Sequence, residues 1–169
     1  MTIDVSTILK EIGDRIELDG EVYLSDTDFL GELYHFDKPL RIAGHISNTG
    51  SCLILTAECT GYVNTRCARC MKDITVPVEF EIDESLAQDD GKESYDDDVI
   101  LFGDVNIDID DIAADNFLMN VEGKYLCGED CKGLCPKCGS DLNKGDCGCN
   151  SENIDPRWSA LIDIMNKDK

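Results

Sequence analysis

The feature that most constrains this 169-residue chain is the run CGEDCKGLCPKCGSDLNKGDCGC, from Cys127 to Cys149, which places six of the ten cysteines within 23 residues. The start, MTIDVSTILKEIGD, has no basic segment followed by an apolar stretch, and no apolar run approaches membrane length. Neither an export signal nor a membrane span is therefore expected, and the default compartment is the reducing cytoplasm. There, clustered thiols hold metal more often than they form disulfides. Within the run, Cys135-Pro-Lys-Cys138-Gly is followed after eight residues by Cys147-Gly-Cys149. A C-x-x-C turn followed by glycine brings two thiolates to one metal and lets the backbone turn beside the sulfurs. Four soft thiolates suit tetrahedral zinc, and zinc is favoured here over an iron–sulfur cluster. Lys132, Lys137 and Lys144 interleave with the thiols and offset part of their charge.

A second C-x-x-C, Cys67-Ala-Arg-Cys70, lies far upstream at the end of an expected strand. Two thiolates do not complete a tetrahedral site. The spacing leaves the pairing of half-sites open. The assignment taken forward joins Cys67 and Cys70 to Cys127 and Cys131, and Cys135 and Cys138 to Cys147 and Cys149, for one or two zinc ions. Cys52 and Cys59 fall in apolar strand-like text and read as core residues. A thioredoxin-like use of Cys67 and Cys70 is disfavoured, because a strand and not a helix is expected to follow.

The net charge of −21 bears on partners, since so acidic a chain repels phosphate backbones at long range. The acidity is uneven. Residues 81–126 hold 15 acids and two bases, whereas 127–169 hold eight and six. Residues 81–111 are accordingly expected to form an acidic docking surface, with a loop around 83–98. The motif search yields no enzyme. The two histidines, His35 and His45, belong to no H-E-x-x-H or nucleophile–base arrangement, and there is no phosphate loop or G-x-S-x-G. A closed four-thiolate zinc also offers no open coordination position to a substrate. Asp104-x-Asn106-x-Asp108 has the spacing of a calcium loop, but Ile109 stands where its glycine belongs. Period-2 alternation explains these acids as the wet face of a strand.

Val5, Ile8, Leu9 and Ile12 recur at helical spacing, which predicts a short helix over Val5–Ile12 closed by Gly13. Strands are expected at Leu40–Ile42, Cys52–Ala57, Tyr62–Arg66 and Ile74–Ile82. In the last of these, Ile74, Val76, Val78, Phe80 and Ile82 share one face, and Pro77 marks a sheet edge. Asp108 to Asp111 supply caps for a helix reaching Val121, buried through Ile112, Leu118 and Met119 or their neighbours. A terminal helix is expected over Arg157–Asn166, with Trp158 in its apolar stripe.

Cys67-Ala-Arg-Cys70-Met, the acidic middle with its following helix, CKGLCPKCGSDLNKGDCGC, and IDPRWSAL from Ile154 to Leu161 together resemble the YceD-like family, the large ribosomal RNA subunit accumulation proteins. The resemblance is strongest over 127–161 and 66–71. It departs before Cys127, where relatives commonly have a Leu-Pro turn and this chain has Asn120-Val-Glu-Gly-Lys. The resemblance implies a bacterial, cytoplasmic, non-enzymatic ribosome biogenesis factor needed for accumulation of large-subunit ribosomal RNA, with no catalytic residues to carry over. Its charge favours docking of a basic ribosomal protein or a large-subunit assembly intermediate. The competing expectation is local ribosomal RNA contact through the cysteine-rich segment, with Lys132, Lys137, Lys144 and Arg157 clustering and Tyr125 and Trp158 as stacking faces.

The expected architecture is α+β: a mainly antiparallel sheet or partly open barrel with a few helices, and a C-terminal cysteine-rich zinc module. The division is an α+β domain over 1–126, and a zinc-binding module with a C-terminal helix over 127–169.

Overall fold

The computed structural model describes residues 1–89 and 98–149. The expected terminal helix with Trp158, and residues 90–97 of the expected acidic loop, lie outside the described residues, while 83–88 of that loop are strand. Contacts divide the chain into two compact units, Met1–Ala68 with Lys72–Cys127, and Arg69–Met71 with the described residues from Gly128 on.

The first unit is built on strands β1 (Thr2–Asp4), β2 (Arg15–Val22), β3 (Thr27–Phe29), β4 (Glu32–Tyr34), β5 (Leu40–Asn48), β6 (Leu53–Arg66), β7 (Asp73–Gln88), β8 (Val99–Phe102) and β9 (Asn106–Asp108), followed by helix α1 (Ile109–Asn120). Five strands form the main sheet in the order β2-β5-β6-β7-β8. Its pairings are antiparallel except β7–β8, which is parallel. The sheet is mixed and open, not a closed barrel. β1 pairs with β9, and β3 with β4 as a hairpin.

Alternation along the strands separates two faces. Leu18, Val22, Leu40, Ile42, Ile46, Leu55, Cys59, Val63, Phe80, Ile82 and Leu86 are buried on one of them. The Ile74–Ile82 alternation holds, its buried members being Val78, Phe80 and Ile82. Pro77 lies where β7 is paired with β6 alone, because β8 reaches only Ser85–Gln88. That placement needs no outward ladder bond from its nitrogen. The expected strands Cys52–Ala57 and Tyr62–Arg66 are one continuous strand, β6. Gly61 does not break it. A Cβ there would come within 2.4 Å of Leu40 Cδ2, so the glycine makes room for close packing on β5. β2 also carries a period-2 signal, with Ile16, Leu18 and Val22 alternating against Glu17, Asp19 and Glu21.

α1 lies over the buried face through Ile109, Ile112, Ala113, Asn116 and Phe117. This i, i+3, i+4, i+7, i+8 series is one helical stripe. Phe117 makes edge-to-face contacts with Tyr34, Phe36 and Phe80, at centroid separations of 5.6, 5.1 and 6.1 Å. Of the expected positions Ile112 is buried, but the second buried position falls on the neighbouring Phe117, and Met119 itself is 81% exposed. Ile109 and Ile112 set the phase and leave it outside the stripe. Asn116 is buried but satisfied, its Nδ2 donating to Glu84 at 2.8 Å and to the Ile112 carbonyl at 3.1 Å. The Asp108 side chain caps the helix by accepting from the Asp110 N–H.

The expected helix Val5–Ile12 shrinks to a single 3₁₀ turn, Ile8–Lys10. Its ends are held by the rest of the fold: the Val5 N–H donates to Val105 and the Gly13 N–H to Asn48, both at 2.8 Å. Eight residues supply too few intrahelical bonds to offset nucleation, and the chain returns to β5 before a second turn forms.

Candidate metal centres

Both C-x-x-C segments close the same way. The Cys67 N–H donates to the Lys72 carbonyl at 2.8 Å, and the Cys135 N–H donates to the Ser140 carbonyl at 2.8 Å. In each, the first cysteine is bonded to the residue five positions on, so the chain wraps around the sulfurs. The residue after the second cysteine is left-handed in both: Met71 at φ 60° and Gly139 at φ 73°. In the second knuckle the Gly139 N–H also donates to the Cys135 carbonyl.

The first unit holds its knuckle through β6, which ends one residue before Cys67, and through the Ala68 N–H, which donates to the Tyr125 carbonyl at 2.9 Å. In the second unit, the Arg69 carbonyl accepts from the Leu134 N–H. Its guanidinium donates to the carbonyl oxygens of Cys131, at 3.0 Å, and Glu129, at 3.4 Å. Gly133 lies so close to this segment that a Cβ would stand 2.9 Å from the Arg69 oxygen. The small loops of the unit are stitched by Asn143. Its Oδ1 accepts from the Lys132 N–H at 2.8 Å, and its Nδ2 donates toward Cys131 Sγ at 3.5 Å. Leu134 and Asp141 form an antiparallel bridge beneath Cys135.

Eight cysteines gather into two groups, Cys67 with Cys70, Cys127 and Cys131, and Cys135 with Cys138, Cys147 and Cys149. Within each group the sulfurs lie within 4.8 Å of one another. A tetrahedral zinc with Zn–S bonds of about 2.3 Å requires sulfurs about 3.8 Å apart, so each group can close on such an ion with small shifts. The other two cysteines are elsewhere. Cys59 is fully buried in β6, and burial pushes its thiol up to about 12. Cys52 is half-buried at the turn before β6, with its Sγ 3.6 Å from Thr49 Oγ1.

The thiols of the second group repel one another's ionisation. Ser140 Oγ lies 3.2 Å from Cys138 Sγ and, donating to the thiolate, draws that thiol down to about 6. Hydrogen bonding to Cys138, with the charge that collects there, pushes Cys149 up to about 12. The Cys138 thiolate thus forms readily and opposes ionisation of Cys149, and a divalent cation removes that opposition. Both groups can hold a metal ion.

His35 shows a different chemistry. Its Nδ1 lies 2.6 Å from Asp26 and its Nε2 2.8 Å from Asp37. Asp37 also accepts from Asn64 Nδ2, and Thr75 Oγ1 donates to Asn64 Oδ1. The carboxylates of Asp26 and Asp37 raise the imidazole above its ordinary value. This arrangement is an ion-paired brace from the residues flanking the β3–β4 hairpin to Asn64 on β6. The spacing of the two aspartates, nine residues before and two after, carried no sequence signal for it.

Comparison with family models identifies a family for the chain. The family model described as "Large ribosomal RNA subunit accumulation protein YceD" matches residues 55–165, a span containing all eight clustered cysteines. Three mycobacterial proteins, one from Mycobacterium bovis and two from strains of Mycobacterium tuberculosis, are each 26% identical to the chain over 170 residues. The alignments cover 98% of this chain and 81% of each relative, all three of which bear the name "Uncharacterized protein". No solved structure matches the chain significantly. No helix among the described residues is long and apolar enough to cross a membrane.

Proposed function

The chain belongs to the family of large ribosomal RNA subunit accumulation proteins, and from that premise we propose that it is a non-enzymatic, cytoplasmic ribosome biogenesis factor acting by docking a basic ribosomal protein or a large-subunit assembly intermediate. The observation that carries this reading is the solvent face of the main sheet. Glu58 on β6 and Glu81 on β7 are exposed partners in register, with Glu79 and Asp83 on the same face of β7. β2 adds Glu17, Asp19 and Glu21. Like charges directly opposite each other destabilise a sheet, and a cationic protein surface relieves that repulsion on binding. The docking surface so drawn differs from the 81–111 segment: it takes acids from three separate stretches of chain.

Two zinc ions fit this role as structural staples, one held by Cys67, Cys70, Cys127 and Cys131 and the other by Cys135, Cys138, Cys147 and Cys149. Closed thiolate sites order a segment with little core of its own. The test of function is binding of the full chain to basic proteins salt-washed from large ribosomal subunits, and separately to protein-free large-subunit ribosomal RNA. Binding to the proteins that weakens with added salt is expected. Binding to the RNA alone favours the second reading, in which exposed Lys132, Lys137 and Lys144 around the second cysteine group contact RNA directly.

A further inference from the structure

The β3–β4 hairpin is fixed at its base and bare at its tip. At the base, Tyr34 is buried against Phe117, and His35 and Asn64 exchange two backbone hydrogen bonds of 2.9 Å; Phe29, the last residue before the turn, also packs on the core and leaves Leu30 and Leu33 facing away from it. The Asp26 carboxylate also accepts from the Phe36 N–H. At the tip, Leu30 is 81% exposed and Leu33 54%. A Cβ placed on Gly31 would meet nothing within 4 Å, so the turn stands clear of its surroundings.

Leu30 is a costly residue for its place. Leu30 and Gly31 have φ of 56° and 84°, the consecutive positive values of a tight hairpin turn. Asn, Asp and Gly adopt that conformation readily, whereas a leucine is strained in it. At this exposure the side chain receives little burial within the fold to offset the strain. Strain held at an exposed apolar tip is accounted for by a contact outside the chain.

The charge around the hairpin states what kind of contact. The hairpin carries Asp28 and Glu32 and is flanked by Asp26 and Asp37, with no Lys or Arg between Ser25 and Asp37 and His35 held between the two flanking aspartates. A second copy of this chain would bring the same acids against them, and nucleic acid or an anionic lipid surface would be repelled as well. We propose that the hairpin tip is a docking knob whose Leu30 and Leu33 enter an apolar socket rimmed by lysine and arginine on a protein partner. An apolar anchor within a charged rim is the usual division of labour in a specific interface. This inference rests on the docking reading above and names one contact within it.

The experiment measures affinity of the full chain for basic proteins salt-washed from large ribosomal subunits, comparing wild type with Leu30→Asn, Leu33→Ser and, as control, Met119→Ser. Asn suits the left-handed turn, so Leu30→Asn is expected to keep or raise the melting temperature while weakening binding about tenfold, the order expected for removing one leucine from an interface. Leu33→Ser tests the same contact from β4 without touching the turn and should weaken binding similarly. Met119→Ser should bind as wild type does. Wild-type affinity in both hairpin variants overturns the knob and leaves the docking reading intact. A wild-type chain that binds none of these proteins, or only protein-free ribosomal RNA, overturns the docking reading and the knob with it.

Discussion

Met71, at φ 60°, occupies in the first cysteine knuckle the position that Gly139, at φ 73°, occupies in the second. The turn demands a left-handed residue immediately after the second cysteine, and only one of the two knuckles has glycine there. Met71 is half-exposed and has little packing to lose. Met71→Gly should therefore relieve strain and stabilise the protein by up to about 1 kcal/mol, while Gly139→Ala should cost a similar amount. Thermal melts of the metal-loaded protein, with the rate of zinc loss to a chromogenic chelator, measure both effects.

Elemental analysis of protein purified under reducing conditions should find two zinc ions per chain. Cys149→Ser and Cys70→Ser should each lower retention toward one, whereas Cys59→Ser should leave it unchanged, because Cys59 is buried in β6 away from both groups. A single zinc in the wild-type protein contradicts the two-centre assignment.

The His35 brace gives stability a defined pH dependence. Hydrogen bonding to Asp26 and then Asp37 raises the His35 pKa above its ordinary 6.5, so its contribution is complete below about 6.5 and is lost as pH rises through the raised value. Asp26 runs the other way. Hydrogen bonding to His35 lowers it from 3.8, so its contribution is complete above that value and is lost as pH falls through the lowered one. The brace should be strongest in weakly acidic solution. An NMR titration of the His35 ring should show a midpoint above 6.5, and the stability difference between wild type and His35→Ala should shrink at alkaline pH.

Phe117 packs the helix on Phe80 of the main sheet, Tyr34 of the hairpin and Phe36 beyond it, so Phe117→Ala should cost about 3–5 kcal/mol in chemical denaturation. Met119, two residues on, is solvent-exposed, and Met119→Ser should change stability by about 0.5 kcal/mol or less.

The Met119 case shows where reading the sequence stops. A helix after Asp108 is legible from its caps, because capping is a contact between residues two or three apart. Its phase is not, since Leu118 and Met119 are as apolar as Phe117. The rest of the fold decided it, by offering Tyr34, Phe36 and Phe80 as partners to the one aromatic ring. In the same way, Val5 and Ile8 are buried, but the helix expected to join them to Ile12 does not form, because hydrogen bonds to Val105 and Asn48 outweigh a short helical pattern.

What the sequence by itself determined are the features carried by neighbours along the chain. These are the two C-x-x-C turns, the alternating faces of β6 and β7, the position of Pro77, and the family. Each depends on spacings of two to five residues, over which backbone geometry leaves few choices. The tertiary structure alone decided which distant groups meet: Glu58 with Glu81, and His35 with Asn64. Those encounters cross tens of residues. Local spacing does not encode them, because the register of the sheet and the course of the loops bring them about.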